Sequence, residues 1–149
     1  MAATNRHAHF VEKLETLLDT VSGLNILTVL NMNKWKDYQY PYAYVVLGPD
    51  ETPPLYEDAG GTGGKIAFSI ATGVSVASNE DIRAAGDTLI HLIEKAFRNY
   101  KMDELTVAGD FDLDNIVTRL TNLNPIPSDE STKQFFIIEG EITYDEEWL

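Results

Sequence analysis

The stretch Gly60-Gly61-Thr62-Gly63-Gly64-Lys65 has the residue types of a phosphate cradle. In a phosphate-binding loop, G-x-x-x-x-G-K-[ST], backbone N–H groups, the lysine and a hydroxyl meet the phosphates where a helix begins. Here Ala59 stands where the first glycine belongs, and Ile66 where the hydroxyl belongs. The residues that follow place Ile66, Phe68, Ile70, Val74 and Val76 at even positions, the period of a strand and not of a helix. The stretch therefore reads as the flexible end of a connector that feeds a strand.

Asp110, Asp112 and Asp114 alternate like the opening of a calcium loop, but Asn115 replaces the required glycine and Thr121 the closing glutamate. Phe111 and Leu113 between the acids point to an alternating amphipathic segment instead. His7 and His9 would lie on different faces of a helix with no third ligand near them in sequence, and a zinc site needs three or four ligands. They read as exposed polar residues near the start of the chain, and His91 as a residue flanking a core stripe. No G-x-S-x-G elbow is present, and 24 acids always allow some carboxylate pair, so pairing by itself carries no signal. The expectation is a protein that is not an enzyme, with no catalytic residues, cofactor or metal.

The elements around these residues follow from periodicity. Residues 5–22 carry Phe10, Val11, Leu14, Leu17, Leu18 and Val21 at three- and four-residue steps, an amphipathic helix that Gly23 can stop. Strands are expected over residues 25–32 and 42–48, and a long one over 65–77. The odd row of that long strand, with Ala67, Ser69 and Ala71, is made of small residues and suits close approach by a helix or a neighbouring subunit. Ser78 is placed as the cap of a second helix striped by Ile82, Gly86, Leu89, Ile90, Ile93, Phe97 and Tyr100. Further strands are expected over 115–123 and 134–148, separated by a turn-rich loop. Two helices with one apolar stripe each, and about five strands in the order α-β-β-β-α-β-β, give an α+β two-layer sandwich with a mostly antiparallel, mixed sheet. One domain is the expectation for 149 residues, which bury roughly 68–70 % of their unfolded surface.

Charge adds the sharpest constraint. The chain has 11 basic and 24 acidic residues, net −13, and no cysteine. Residues 1–48 and 65–100 are each neutral. Residues 49–64, which contain Asp50, Glu51, Glu57 and Asp58, have no base at all, and the last third holds the remaining excess of acid. Direct nucleic-acid binding needs the opposite sign. The connector over 49–64 is too long for a hairpin turn and rich in proline and glycine, so it is expected to be mobile, with Leu55 and Tyr56 as candidates for docking. Trp35, Tyr38, Tyr40, Tyr42 and Tyr44 form an aromatic cluster of the kind enriched at interaction hot spots, and Trp148 is hard to place in a core. The N-terminal stretch is charged throughout and reads as neither a signal peptide nor a membrane span.

Taken together, the N-terminal helix, the strand running into YPYAYVVLGPDE, the long connector into GGKIAFSIATGVSVASNEDI and the closing strand FFIIEGEITYDEE resemble the neck and tail-completion proteins of tailed bacteriophages, above all the tail terminator (minor tail protein U-like) family. The resemblance implies an α+β subunit of the virion, assembled in the host cytoplasm into a homo-oligomeric, hexameric ring. Such a ring caps the tail tube, ends its polymerisation and meets the head connector or stopper, while DNA passes through its lumen. Six copies at −13 each would carry −78. Asp50, Glu51, Glu57, Asp58, Glu139 and Glu141 are the candidates for an acidic lumen that repels DNA. Tyr38, Tyr40, Tyr42, Leu55, Tyr56, Ala67, Ser69, Ala71 and Trp148 are the candidates for subunit contacts. The competing readings are another neck protein such as the stopper, an acidic monomeric binding module such as a DNA mimic, and a small hydrolase or transferase that uses carboxylates or the glycine loop.

Overall fold

In a computed structural model, the described residues are 6–28, 39–51, 61–77, 81–98, 100–102, 105–107, 111–126 and 131–148. The chain forms α1 (Arg6–Asp19), β1 (Asn25–Leu27), β2 (Tyr42–Glu51), β3 (Gly61–Ser75), α2 (Ile82–Arg98), β4 (Leu105–Val107), β5 (Phe111–Ile126) and β6 (Lys133–Trp148). The strands make one mixed sheet in the order β1-β2-β3-β6-β5-β4, in which β1 runs parallel to β2 and every other pair is antiparallel. This is the expected α+β sandwich, with one additional three-residue strand, β4. Three residues carry too little periodicity for a strand to be read from sequence.

Both helices pack on the same side of the sheet: α1 crosses β2, β1 and β4, and α2 lies over β3, β6 and β5. The side chains that meet them follow the period of two that a strand imposes. In β3 these are Ile66, Phe68, Ile70, Thr72 and Val74, all buried. In β6 they are Phe136, Ile138, Ile142 and Tyr144, likewise buried. The helices contribute Phe10, Leu14, Leu17 and Leu18 from α1, and Leu89, Ile90, Ile93 and Phe97 from α2. Phe68 stacks on Phe97, with centroids 5.8 Å apart and planes 13° from parallel, so sheet and helix are joined ring to ring.

Several local expectations change. The side chain of Asp81 caps α2, because its Oδ1 accepts hydrogen bonds from the N–H groups of Arg83 (3.0 Å) and Ala84 (3.2 Å). Ser78 lies outside the described residues. The connector expected over 49–64 is strand at both ends, since β2 continues to Glu51 and β3 begins at Gly61. Its interior, residues 52–60, is outside the described residues. Residues 124–126, expected in a loop, belong to β5, where Pro125 is opposite Phe136 on a strand whose far side is mostly unpaired among the described residues. His9 is buried at 4 % exposure, not exposed, with its ring centroid 5.7 Å from that of Phe10.

One of the glycines that suggested a phosphate cradle, Gly64, has a packing role, and Gly140 has a similar one. Gly64 is opposite Tyr144, and a Cβ on Gly64 would lie 2.2 Å from the tyrosine ring. Gly140 is opposite Phe68, and a Cβ there would meet the Phe68 ring at 2.3 Å and the Arg119 carbonyl oxygen at 2.6 Å. In each pair a large ring lies flat across the backbone of the facing strand, which only a residue without a side chain permits.

Candidate assembly surface

The face of the sheet turned away from the helices has a different composition. Its β3 row is Lys65, Ala67, Ser69 and Ala71, which are exposed or half-buried, unlike the buried row one residue out of phase. Tyr44 is opposite Ala71 and Val46 is opposite Ser69, with Val46 45 % exposed. On β6 the same face carries Ile137, Glu139, Glu141, Thr143 and Asp145. The small residues Ala67, Ser69 and Ala71 thus meet no helix among the described residues. They form a shallow strip between the side chains of β2 and the carboxylates of β6.

Each of those carboxylates takes a hydrogen-bond donor from a neighbouring strand. Asn124 Nδ2 donates to Glu139 Oε1 at 2.6 Å, and Asn115 Nδ2 donates to Asp145 Oδ2 at 2.8 Å. Between them, Arg119 Nε donates to Glu141 Oε1 at 2.6 Å, while Lys65 Nζ reaches Glu141 Oε2 at 3.0 Å. The Glu141 side chain is 14 % exposed. Hydrogen bonds from Lys65 and then Arg119 hold its carboxyl below the ordinary value of 4.5. This comb of acid–donor pairs ties β5 and β3 to β6. It spans the two register shifts of β5, between Asp114 and Val117 and between Leu120 and Asn122. Asn115, at the first shift, has φ +50°, a left-handed conformation that asparagine tolerates better than most residues.

Tyr40 and Tyr42 occupy the opposite end of this face. Their rings meet edge to face at 5.4 Å, Phe135 lies 6.4 Å from Tyr40, and Lys133 Nζ stands 5.5 Å from the Tyr40 centroid. Tyr42 is 8 % exposed, and its ring, with that of Phe135, fills the space above Gly73. Its aromatic surface is therefore largely spent within the subunit. Tyr38, Leu55, Tyr56, Glu57 and Asp58 lie outside the described residues. Trp148 is the last residue of β6, opposite Phe111.

Acidity gathers at one end of the sheet. Asp50 and Glu51 close β2 opposite Ile66 and Lys65, and the β5–β6 register sets Asp112 opposite Glu147 and Asp114 opposite Asp145. Among the described residues, no group of three or more His, Cys, Asp or Glu is arranged to hold a metal ion. No described helix is long and apolar enough to cross a membrane.

Sequence reasoning missed two features. The first is the outer edge of β5: β4 pairs only with Phe111 to Leu113, so residues 115–126 face no further strand among the described residues. The second is a cleft of about 500 Å³ between α2 and β5, lined by Ile90, Phe97, Leu120, Leu123 and Ile138, with Glu94 and Arg98 on the helix side. Thr118 also lines it, and the Thr118 hydroxyl is buried without a hydrogen-bond partner. The exposure of Leu123 at 39 % and Val117 at 56 % belongs to this edge. Strand periodicity hinted at these positions, but the width of the gap depends on where α2 settles across the sheet.

No protein-family model matches the chain, and no curated protein matches it. Among solved structures, one similar chain is described as the sheath/tube terminator of an extracellular contractile injection system, PVC, in the extended state, determined by cryo-electron microscopy. The match has a TM-score of 0.48 at 10 % sequence identity, and covers 95 % of this chain but 58 % of the other. The present chain thus spans less than two thirds of the length of the structure it matches.

Proposed function

We propose that this chain is a structural subunit of a phage-type tail, assembling through its own surfaces into a closed ring, six copies in the reading favoured here, that caps the tail tube. The observation that carries the proposal is the unfinished sheet. One face is buried under helices. The other presents a strip of small residues beside paired charges, and the edge of β5 over residues 115–126 meets no further strand among the described residues. A protein that works alone has reason to blunt or cover such an edge, whereas a subunit of a cyclic assembly offers it to a neighbour. The acidic sheet end, with Asp50 and Glu51, then supplies a charged rim, and Glu139 and Glu141 lie further along the open face beside the lumen, where phosphate is repelled and DNA slides without adhering. In this reading the ring meets the tube protein below and the head connector or stopper above, and it resides in the virion.

Native mass spectrometry of the purified chain, followed by imaging of tail tubes assembled with and without it, tests the reading. Rings, and tubes of arrested length, support it. A chain that stays monomeric at tens of micromolar and leaves tube growth unchanged sinks it. A second reading, an acidic module that binds a basic protein, is favoured by the like-charge pairings at the β5–β6 end. A salt-sensitive one-to-one complex with a basic partner, in place of rings, would select it.

A further inference from the structure

The cleft between α2 and β5 is apolar on its floor and basic at one end. Ile90, Phe97 and Ile138 are buried there, and Leu120 and Leu123 line it from β5. Arg98 lines it from the helix, in a last turn that also holds Lys95, and Lys101 follows. All three bases are exposed, and none of them makes an ion pair among the described residues. Lys65 and Arg119, by contrast, are both taken up by Glu141. In a chain of net charge −13, the end of α2 is a local reversal of sign whose charge is unspent.

The complementary chemistry is at the far end of β6. Beyond the buried Tyr144 the strand continues through Asp145, Glu146 and Glu147 to Trp148, and β5 brings Asp112 and Asp114 alongside. No base occurs in residues 111–114 or 144–148. Acids leading into a tryptophan match a cleft with bases at its rim and an apolar floor, and tryptophan is enriched among interface anchors. The tip cannot enter the cleft of its own subunit. Leu120 and Leu123 are opposite Gly140 and Ile138, so Trp148 is eight and ten residues further along β6, about 26 and 33 Å. Even Thr118, the lining residue nearest in register, is opposite Ile142, about 20 Å from Trp148. Pairing of Glu147 with Gly61 on one side and Asp112 on the other keeps the strand from turning back. We infer that the cleft between α2 and β5 receives the acidic β5–β6 tip of a neighbouring copy of this chain, with Trp148 on the cleft floor and the acids before it against Arg98 and Lys95. Tip and cleft are different patches, so the contact is heterologous and repeats from copy to copy. This rests on the ring reading and gives it a specific joint.

Two charge reversals test the joint. Arg98→Glu reverses the cleft and leaves the tip native, and Glu147→Arg does the opposite. Each chain alone should assemble about tenfold more weakly than the native one, because like charges meet at every joint. Mixed one to one they should recover assembly, since a reversed cleft then receives a reversed tip and a native cleft a native tip. Native mass spectrometry should show equal numbers of the two chains in each ring. Lys95→Glu replaces Arg98→Glu in the same mixture if the latter lowers the thermal midpoint. Unimpaired assembly of either variant alone, or no rescue in the mixture while the native chain forms rings, overturns the joint and leaves the ring reading standing. Rescue that stops at a dimer upholds the joint and overturns the ring. A native chain that stays monomeric at tens of micromolar overturns both. The native chain has no cysteine, so a chain carrying Leu123→Cys and Trp148→Cys adds a direct reading. On oxidation it should give a covalent ladder up to the ring size, and rings without any cross-link overturn the seating of Trp148.

Discussion

The two faces of β3 differ in nearly everything except the backbone they share. Ile66, Phe68 and Ile70 are at most 1 % exposed and touch the helices, whereas Ala67 and Ser69, their immediate neighbours, are backed by no helix among the described residues. The buried row is large and apolar, and the open row is small or charged. A sheet face that simply met water would accept long polar side chains at each open position. Keeping β3 small there lets another surface come close to the backbone, and Glu139 and Glu141 on this face are tied to partners on adjacent strands. The covered face holds the subunit together. The open face ties strand to strand through its charge pairs and leaves the small row of β3 uncovered by any helix among the described residues.

The contrast can be broken most directly from the buried side. Phe68→Ala should destabilise the isolated subunit by about 3–5 kcal/mol in urea unfolding, since it removes a ring stacked on Phe97 and leaves a cavity. Gly140→Ala should cost about 1–3 kcal/mol by overpacking, because its Cβ has the Phe68 ring and a fixed carbonyl in the way. On the open row, Ser69→Val should move subunit stability by no more than about 0.5 kcal/mol yet reduce ring formation measurably by native mass spectrometry. A loss of several kcal/mol from Ser69→Val would mean that the open face is structural after all.

Two carboxylates refine the comparison through pH. Glu141, held low by Lys65 and Arg119, contributes stability that is complete above the ordinary value of 4.5 and is lost as pH falls through its depressed value. Glu141→Gln should therefore flatten the fall of the thermal midpoint below that pH, with little change between pH 6 and 8 beyond the loss of the pair itself. Glu15 in α1 behaves in the opposite sense: burial, and then the nearby charge of Glu12, raise its carboxyl above 4.5. Its ionisation costs the folded state stability as pH rises through that raised value, so Glu15→Gln should stabilise at pH 7 by up to about 0.5 kcal/mol, with the gain vanishing below pH 4.5.

Much of this architecture was readable before any coordinates. The stripe from Leu89 to Phe97 and the alternation from Ile66 to Val74 are long enough for period alone to fix element type and inward face. The extent of β5 was not readable, because its two register shifts interrupt the alternation and Pro125 imitates a loop. The burial of His9 was hidden for a different reason: its cover comes from tertiary packing near the helix start, which no local pattern encodes. Of the candidate surface, the small row Ala67, Ser69 and Ala71 was visible as composition, although not which side of the sheet would leave it bare. The cleft beside α2 was invisible, since a gap belongs to two elements at once and to neither sequence alone.

The facing of rings and glycines across β3 and β6 has a consequence for how the chain finds its alignment. Alternation of apolar and polar residues fixes only parity: a slip of two residues keeps every side chain on its proper face. Gly64 opposite Tyr144, Phe68 opposite Gly140 and Gly73 opposite Phe135 break that degeneracy. After such a slip Tyr144 would stand across from Ile66 or Thr62, and Phe68 across from Ile142 or Ile138. These contacts act together like the marks of a vernier, agreeing at one setting of two long strands and at no neighbouring one.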